Sequence, residues 1–188
     1  MTKDKVIKIL QAGGVGVLAT DTIYGLVGQA LAPLTVEKIY NLRQRHPDKP
    51  LIILIGSLVD LDLFKIKISS WQRDNLSKLW PGQVSVVLPC ANRRLAYLHR
   101  GTKTLAFRLP AKPDLLDILK LAGPLVAPSA NLEGSPPAKN ILEAKKYFGG
   151  QLDFYLDAGE LSAEPSTLVS LIGEKMEILR PGAVKLKV

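Results

Sequence analysis

Arg43, Arg45 and Lys49, Thr20 and Thr22, Arg108, Ser129 and Asn131, Ser166 and Thr167, and Arg180 fall at the ends of apolar runs or in the turns just beyond them. These are cations, hydroxyls and amides. No Ser-His-Asp or Cys-His arrangement suggests itself, no pair of carboxylates sits in a plausible site loop, and no Walker A glycine-lysine loop occurs. Covalent or acid–base catalysis therefore has few candidates. Such a set suits a substrate that brings its own negative charge, because phosphoryl or nucleotidyl transfer can rest on positioning and on stabilising charge at phosphate oxygens. Magnesium in such a site is held by phosphates and water, as its reluctance to dehydrate favours.

Each segment also has a plain structural reading. Thr20-Asp21-Thr22-Ile23-Tyr24-Gly25 could present two hydroxyls into a cleft, yet strand-to-turn segments rich in Thr and Gly are common. Arg43-Gln44-Arg45-His46-Pro47-Asp48-Lys49 follows a helical pattern; its arginines suit bidentate phosphate contacts, and equally place favourable charge at a helix C-terminus. Arg108 ends an apolar strand, where an unpaired cation is expensive, so it must meet a carboxylate, a phosphate or cleft solvent. Pro128-Ser129-Ala130-Asn131 follows a short apolar strand, the usual place for a ligand-facing turn in an open α/β sheet. Ser166-Thr167 opens a strand and Arg180-Pro181-Gly182 closes one. His46 and His99 read as exposed, and Cys90 as a small packed residue. Trp71, Trp80, Tyr40 and Phe64 read as core.

The elements that must position these groups alternate. A helix over 5–12 with Val6, Ile9 and Leu10 on one face stops at Gly13-Gly14 and feeds a buried strand over 15–19. Thr35 is the candidate cap of a second helix that ends at His46-Pro47, ahead of a strand over 51–55. Ser57 and Ser70 are candidate caps of two more helices, the later closing at Trp80-Pro81-Gly82. Strands over 84–88 and 105–109 flank a basic stretch, 92–103, that reads as an irregular, mobile loop. A helix opened by Pro113, a strand over 125–127, a helix over 140–148 and strands near 154–156, 168–172 and 177–179 complete the chain. Strands too continuously apolar to have one wet face imply an α/β sheet covered by helices.

Composition bounds the rest. With 188 residues, 47% hydrophobic and 22% charged, the chain can close one substantial core, so a single domain over 1–188 is the expectation. The longest apolar stretch is broken by Gly56, Asp60 and Asp62, which argues against a membrane span. The lysine-bearing N-terminus lacks an apolar signal core, so the expected location is the cytoplasm. A lone Cys90 and two histidines leave no cluster at metal-ligand spacing. A formal charge of +8 draws polyanions, nucleotides or RNA, without separating them.

Taken in order, the segments resemble the YrdC-like family of threonylcarbamoyl-AMP synthases in its short, TsaC-type form. The similarity runs from Gly13 to Gly182. It covers Thr20-Asp21-Thr22-Ile23-Tyr24-Gly25-Leu26, Arg43-Gln44-Arg45 with Pro50-Leu51-Ile52, Trp80-Pro81-Gly82-Gln83, Arg108-Leu109-Pro110, Ser129-Ala130-Asn131 and Ser166-Thr167. The resemblance implies a twisted, open, mixed sheet covered by helices, the YrdC-like (DHBP synthase-like) fold. It implies a reaction in which threonine and bicarbonate form a carbamate that attacks the α-phosphate of ATP, with Mg2+ on the phosphates. ATP would be held by Arg43, Arg45, Lys49, Thr104, Ser129, Asn131 and Arg180, and threonine by Thr22, Arg108, Ala127 and Ser166. No residue would react covalently; Arg45 and Arg108 would position substrates and stabilise charge. Implied partners are L-threonine, bicarbonate, ATP, tRNA and other tRNA-modification proteins, in the making of threonylcarbamoyladenosine. Departures from the family pattern are Arg43 for Lys, Gln83 for Pro, Ser85 for Thr, Glu133 for Ser, Ser170 for Asp, and Leu54 where some relatives have a histidine near threonine. A non-catalytic RNA-binding module with the same fold is the competing reading, and pyrophosphate release separates the two.

Overall fold

The computed structural model describes residues 1–186. The chain runs α1 (Lys3–Gln11), β1 (Gly16–Ala19), β2 (Tyr24–Gln29), α2 (Pro33–Arg43) and β3 (Ile52–Leu54), then a 3-10 helix (Leu58–Phe64), α3 (Ser70–Leu79) and β4 (Val84–Pro89). A short 3-10 turn (Arg93–Leu95) leads into α4 (Ala96–His99), β5 (Thr104–Arg108), α5 (Pro113–Ala122), β6 (Leu125–Val126), α6 (Ile141–Phe148), β7 (Phe154–Leu156), β8 (Thr167–Ser170) and β9 (Glu177–Arg180). All the strands join one sheet in the order β7-β1-β2-β6-β3-β5-β4-β8-β9. Pairing is mixed: β1–β7, β3–β5 and β4–β8 are parallel, the other neighbours antiparallel.

Side chains alternate across the sheet, so each strand divides its residues between two cores. On one face Val17, Leu26, Ile53, Phe107, Val86 and Val169 pack in a large cluster with Val36 and Ile39 of α2, Leu76 of α3, Leu98 of α4 and Phe148 of α6. On the other, Leu18, Val27, Leu125 and Leu54 meet Val6, Ile7 and Leu10 of α1 and Leu115, Ile118 and Leu119 of α5. These two helices cover only the β7-β1-β2-β6-β3 half of that face. The β5-β4-β8-β9 half carries Ala106, Arg108, Ser85, Val87 and Leu168 on the same side, because their neighbours Leu105, Phe107, Val86 and Val169 belong to the first core.

Several local expectations change. The strand β2 was not expected, since Gly25 and Gly28 weaken the strand pattern; a Cβ on Gly28 would meet Thr35 Cγ2 at 2.5 Å, so the glycine lets α2 lie close on the sheet. Thr35 is inside α2 and does not cap it: Pro33 opens the helix, and Thr35 Oγ1 donates to the Gly13 carbonyl at 2.9 Å. That helix ends at Arg43, with Gln44 left-handed, before His46-Pro47. The cap of α3 is Ser69, which accepts from Gln72 N–H at 3.1 Å while Gln72 Oε1 accepts from Ser69 N–H. The 92–103 stretch is organised, for Leu95 and Leu98 anchor it. His99 within it is buried, against the expectation of exposure, and its Nδ1 accepts from Gly101 N–H at 3.1 Å. Among the described residues no helix is long and apolar enough to cross a membrane.

Candidate active site

The uncovered half of the sheet is the floor of a cleft of about 360 Å³. Ile52, Ala106, Val87 and Leu168 pave it. Its walls are the β1–β2 turn with Thr20 and Thr22, the Ala127-Pro128-Ser129 segment after β6, Arg43 at the end of α2 and Arg45 just beyond it, Thr102 and Thr104 at the start of β5, and Pro165-Ser166 before β8. Arg108, Leu179 and Arg180 also line it, as do Ile23-Tyr24-Gly25 at the start of β2 and Pro50-Leu51 ahead of β3.

Backbone pairing fixes these walls. Leu26 N–H donates to Pro128 O at 2.9 Å and Ala130 N–H to Tyr24 O at 2.9 Å, so β2 clamps the Ser129 loop; Ala127 N–H is anchored on Ile52 O. Ala183 N–H donates to Pro165 O, and a Cβ at Gly182 would fall on that same oxygen. Glycine is required there for the chain after β9 to hold the Pro165-Ser166 wall.

Arg180 reaches the cleft through a β-bulge. Leu168 pairs with Arg180 and Val169 with Ile178, which leaves Leu179 as an extra residue on β9. In a regular strand Leu179 and Arg180 would point to opposite faces; the bulge puts both on the cleft. Arg180 Nη2 then donates to Ser166 O at 2.8 Å. Ser166 Oγ and Ser85 Oγ lie 2.8 Å apart, both buried.

The guanidiniums are held by two different devices. Arg43, 3% exposed, donates from Nε to Asn131 O at 3.0 Å and from Nη2 to Asn131 Oδ1 at 3.0 Å and Ser129 Oγ at 3.2 Å, all neutral acceptors. Burial, helped by the neighbouring charge of Arg45, pushes its pKa down to about 10. Arg108, also buried, lies 3.1 Å from Asp21 Oδ1 and donates to Thr20 Oγ1 at 3.2 Å. The Asp21 pair is close but poorly aligned, and Asp21 Oδ1 and Arg108 Nε have no hydrogen-bond partner. Burial lowers the Arg108 pKa, Arg180 lowers it further, and Asp21 opposes both; Arg180 is lowered by burial and by Arg45. The charges repel one another across the cleft, and an anion lying between them relieves that repulsion.

Of the residues that the resemblance assigns to ATP, Arg43, Arg45, Thr104, Ser129 and Arg180 line this one cleft, as do Thr22, Arg108, Ala127 and Ser166 of the threonine set. Lys49 and Asn131 do not. The Lys49 side chain turns to the rim and pairs with Glu133. Asn131 is buried beneath the wall, where it orients Arg43 and donates to Leu132 O and Ser135 O. Leu54 lies in the second core and not on the cleft. Gln83 Nε2 donates to Asp21 O, tying the β1–β2 turn to the start of β4.

Thr102, Leu168 and Leu179 were missed. A Thr-x-Thr pair ahead of an apolar strand was a usable signal for Thr102; nothing in the sequence marks the bulge. Asp21, flanked by Thr20 and Thr22, was open to view as the carboxylate that Arg108 needs.

A family model described as "Telomere recombination", for the Sua5, YciO and YrdC proteins, matches residues 8–182. The putative threonylcarbamoyl-AMP synthase of Mycobacterium tuberculosis (strain ATCC 25618 / H37Rv) is 31% identical over 176 residues, covering 93% of this chain and 81% of that protein. The threonylcarbamoyl-AMP synthase of Pyrococcus abyssi (strain GE5 / Orsay) is 31% identical over 180 residues, 95% of this chain and 53% of that protein. The chain thus spans about half the length of that relative. Among solved structures, P. abyssi Sua5 complexed with L-threonine superposes with a TM-score of 0.89 at 30% identity, over 96% of this chain and 54% of that one. E. coli YciO, with a TM-score of 0.87 at 24% identity over 98% and 91%, shares the fold.

Proposed function

The chain belongs to the Sua5/YciO/YrdC family, and from that premise we propose that it is an L-threonylcarbamoyladenylate synthase, making threonylcarbamoyl-AMP and pyrophosphate from L-threonine, bicarbonate and ATP. Threonine's amine and bicarbonate form the carbamate with loss of water. A carbamate oxygen then bonds to the α-phosphorus as the bond from that phosphorus to the oxygen bridging to the β-phosphate breaks, and pyrophosphate leaves.

The observation that carries this reading is the cleft's inventory: among the described residues, four guanidiniums, Arg43, Arg45, Arg108 and Arg180, line it with threonine and serine hydroxyls and no carboxylate. Three anionic reactants repel one another, and fixed cations in a partly water-excluded cleft offset that repulsion without any residue reacting covalently. Arg108, with its unpartnered Nε, faces the threonine carboxylate beside Thr22 and Ser166; Arg43, Arg45 and Arg180 take the phosphates, with Ser129 and Thr104 on the nucleotide. Because no carboxylate lines the cleft among the described residues, any Mg2+ that accompanied ATP would be held by the phosphates and water. Its role there is to neutralise phosphate charge. The use of ATP and a role in tRNA modification favour a cytoplasmic site of action, with tRNA and other modification proteins downstream.

The test is pyrophosphate release by the purified chain. Release that requires threonine, bicarbonate and ATP together is expected. Binding of RNA with no such release overturns the reading in favour of a non-catalytic RNA-binding module.

A further inference from the structure

One side chain joins two walls of the cleft at the rim. Glu133, in the loop after β6, accepts the backbone N–H of His46 on Oε2 and pairs through Oε1 with the Lys49 ammonium. Its own N–H donates to Arg43 O at 2.8 Å, so its backbone is anchored where α2 ends. A carboxylate that takes one backbone N–H and one ammonium makes the contacts that a phosphate oxygen makes in an anion site. This occupancy explains why Lys49 is off the wall that Arg43 and Arg45, from the same turn, both line.

We propose that Glu133 is a specificity-determining residue for the nucleotide: an internal carboxylate that holds the Lys49 ammonium and the His46 amide until a polyphosphate displaces it. The inference rests on reading the cleft as an ATP site. Displacement is a side-chain event. The Lys49 carbonyl stays fixed, because it accepts from Tyr40 Oη at 2.9 Å and from Arg45 Nε at 3.0 Å, while the ammonium is free to swing on its stem. A triphosphate has terminal charge enough to compete for that ammonium. A monophosphate is satisfied by the arginines already on the wall and leaves the Glu133 contact closed. The contact therefore acts against the triphosphate alone, and Glu133 tempers the preference for ATP over AMP. Lys49 also keeps Glu133 ionised, its pKa lowered to about 2 chiefly by that hydrogen bond and next by the His46 amide, so Glu133 meets an incoming phosphate as a carboxylate at neutral pH.

Calorimetric titration of the full chain with ATP and with AMP tests this, on wild type, Glu133→Gln, Lys49→Ala and the double variant, with thermal unfolding as the folding control. Glu133→Gln is expected to tighten ATP binding by roughly fivefold, the scale of an exposed ion pair, and to leave AMP binding unchanged. In the Lys49→Ala background the same substitution is expected to change neither. Unchanged or weaker ATP binding in Glu133→Gln, an equal gain for AMP, or a gain that survives Lys49→Ala overturns the proposal, the last by showing that Glu133 acts through its general field. Wild-type chain that binds no ATP overturns the nucleotide reading itself; wild-type binding with an unresponsive variant overturns this inference alone.

Discussion

One face of the sheet is built two ways, and the boundary falls between two residues paired in register on adjacent parallel strands. Leu54 of β3 is fully buried under α5; Arg108 of β5, its partner, is buried at the edge of an open cleft. On the Leu54 side, Leu18, Val27 and Leu125 are each sealed by α1 and α5, and burying such a side chain contributes about 1.5–3 kcal/mol. On the Arg108 side no helix crosses, and the floor is interrupted by groups that are costly to bury: Arg108, Ser85 and, across the bulge, Arg180. The covered half provides stability. The open half gives some of it up, tolerating an imperfectly aligned ion pair and mutually repelling guanidiniums, in exchange for affinity toward anions. The strands are alike in geometry; what differs is whether a helix returns across them.

The largest expected effect comes from exchanging the characters of Leu54 and Arg108. Leu54→Asp takes a leucine from beneath α5 and buries a carboxylate there, beside an Arg108 that Asp21 and Thr20 already engage, and the lost packing and partly paired charge should destabilise the protein by about 2–5 kcal/mol, read as a lowered urea midpoint or as insoluble protein. The converse change, Arg108→Met with Asp21→Asn, removes both members of the buried pair. It should leave the urea midpoint within about 1 kcal/mol of wild type while pyrophosphate release falls by at least about a hundredfold. If the double variant keeps wild-type turnover, Arg108 is not part of the site. If it unfolds as readily as Leu54→Asp, the two halves do not differ in what their buried groups contribute to stability.

The covered half was the more legible in the sequence. The Val6, Ile9 and Leu10 pattern marked α1, Pro113 marked the start of α5, and continuous apolar strands required a sheet buried on both faces. The open half was legible through chemistry instead: Arg108 had to find a partner at the end of an apolar strand, and Asp21 is that partner. What escaped depends on contacts between distant segments. Thr35 carries the residue type of a cap, yet tertiary packing uses its hydroxyl on Gly13. His99 sits in a basic, polar stretch whose two leucines turn it inward. Lys49 has the right charge and the right turn, but its direction is set by Glu133, 84 residues away in the chain.

The bulge offers a narrower way to break the comparison. Deleting Leu179 would leave Arg180 opposite Leu168 on the open face, so the test replaces the side chain that the bulge delivers: Arg180→Ala takes one guanidinium off the cleft and keeps the bulge. β9 is an edge strand with exposed residues, so the urea midpoint should change little, by about 1 kcal/mol or less. The expected kinetic outcome is a KM for ATP raised by roughly tenfold, as expected from losing one charge-assisted contact worth about 1.5 kcal/mol, with a smaller change in the KM for threonine. An unchanged KM for ATP would mean that the open half does not need Arg180 on its surface.

The smallest effect concerns the rim, where the open half is tied shut by Glu133. Its carboxyl titrates at about 2 in the folded chain, below an ordinary value of 4.5, chiefly through the Lys49 hydrogen bond and then the His46 amide. A carboxylate whose pKa is lowered on folding contributes its stability above the unfolded value and loses it as protons are taken up through the folded one. The difference in stability between wild type and Glu133→Gln should therefore be constant above about pH 4.5, shrink between pH 4.5 and 2, and vanish below. The His46 contact is made by its amide, and the other charged groups at the rim, Lys49, Arg45 and Asp48, are present in both chains and cancel in the difference. Urea midpoints at pH 7, 4 and 2.5 measure it. A difference that does not depend on pH would show that Glu133 acts at the rim through packing and not through its charge, and the open half would then be held by shape as the covered half is.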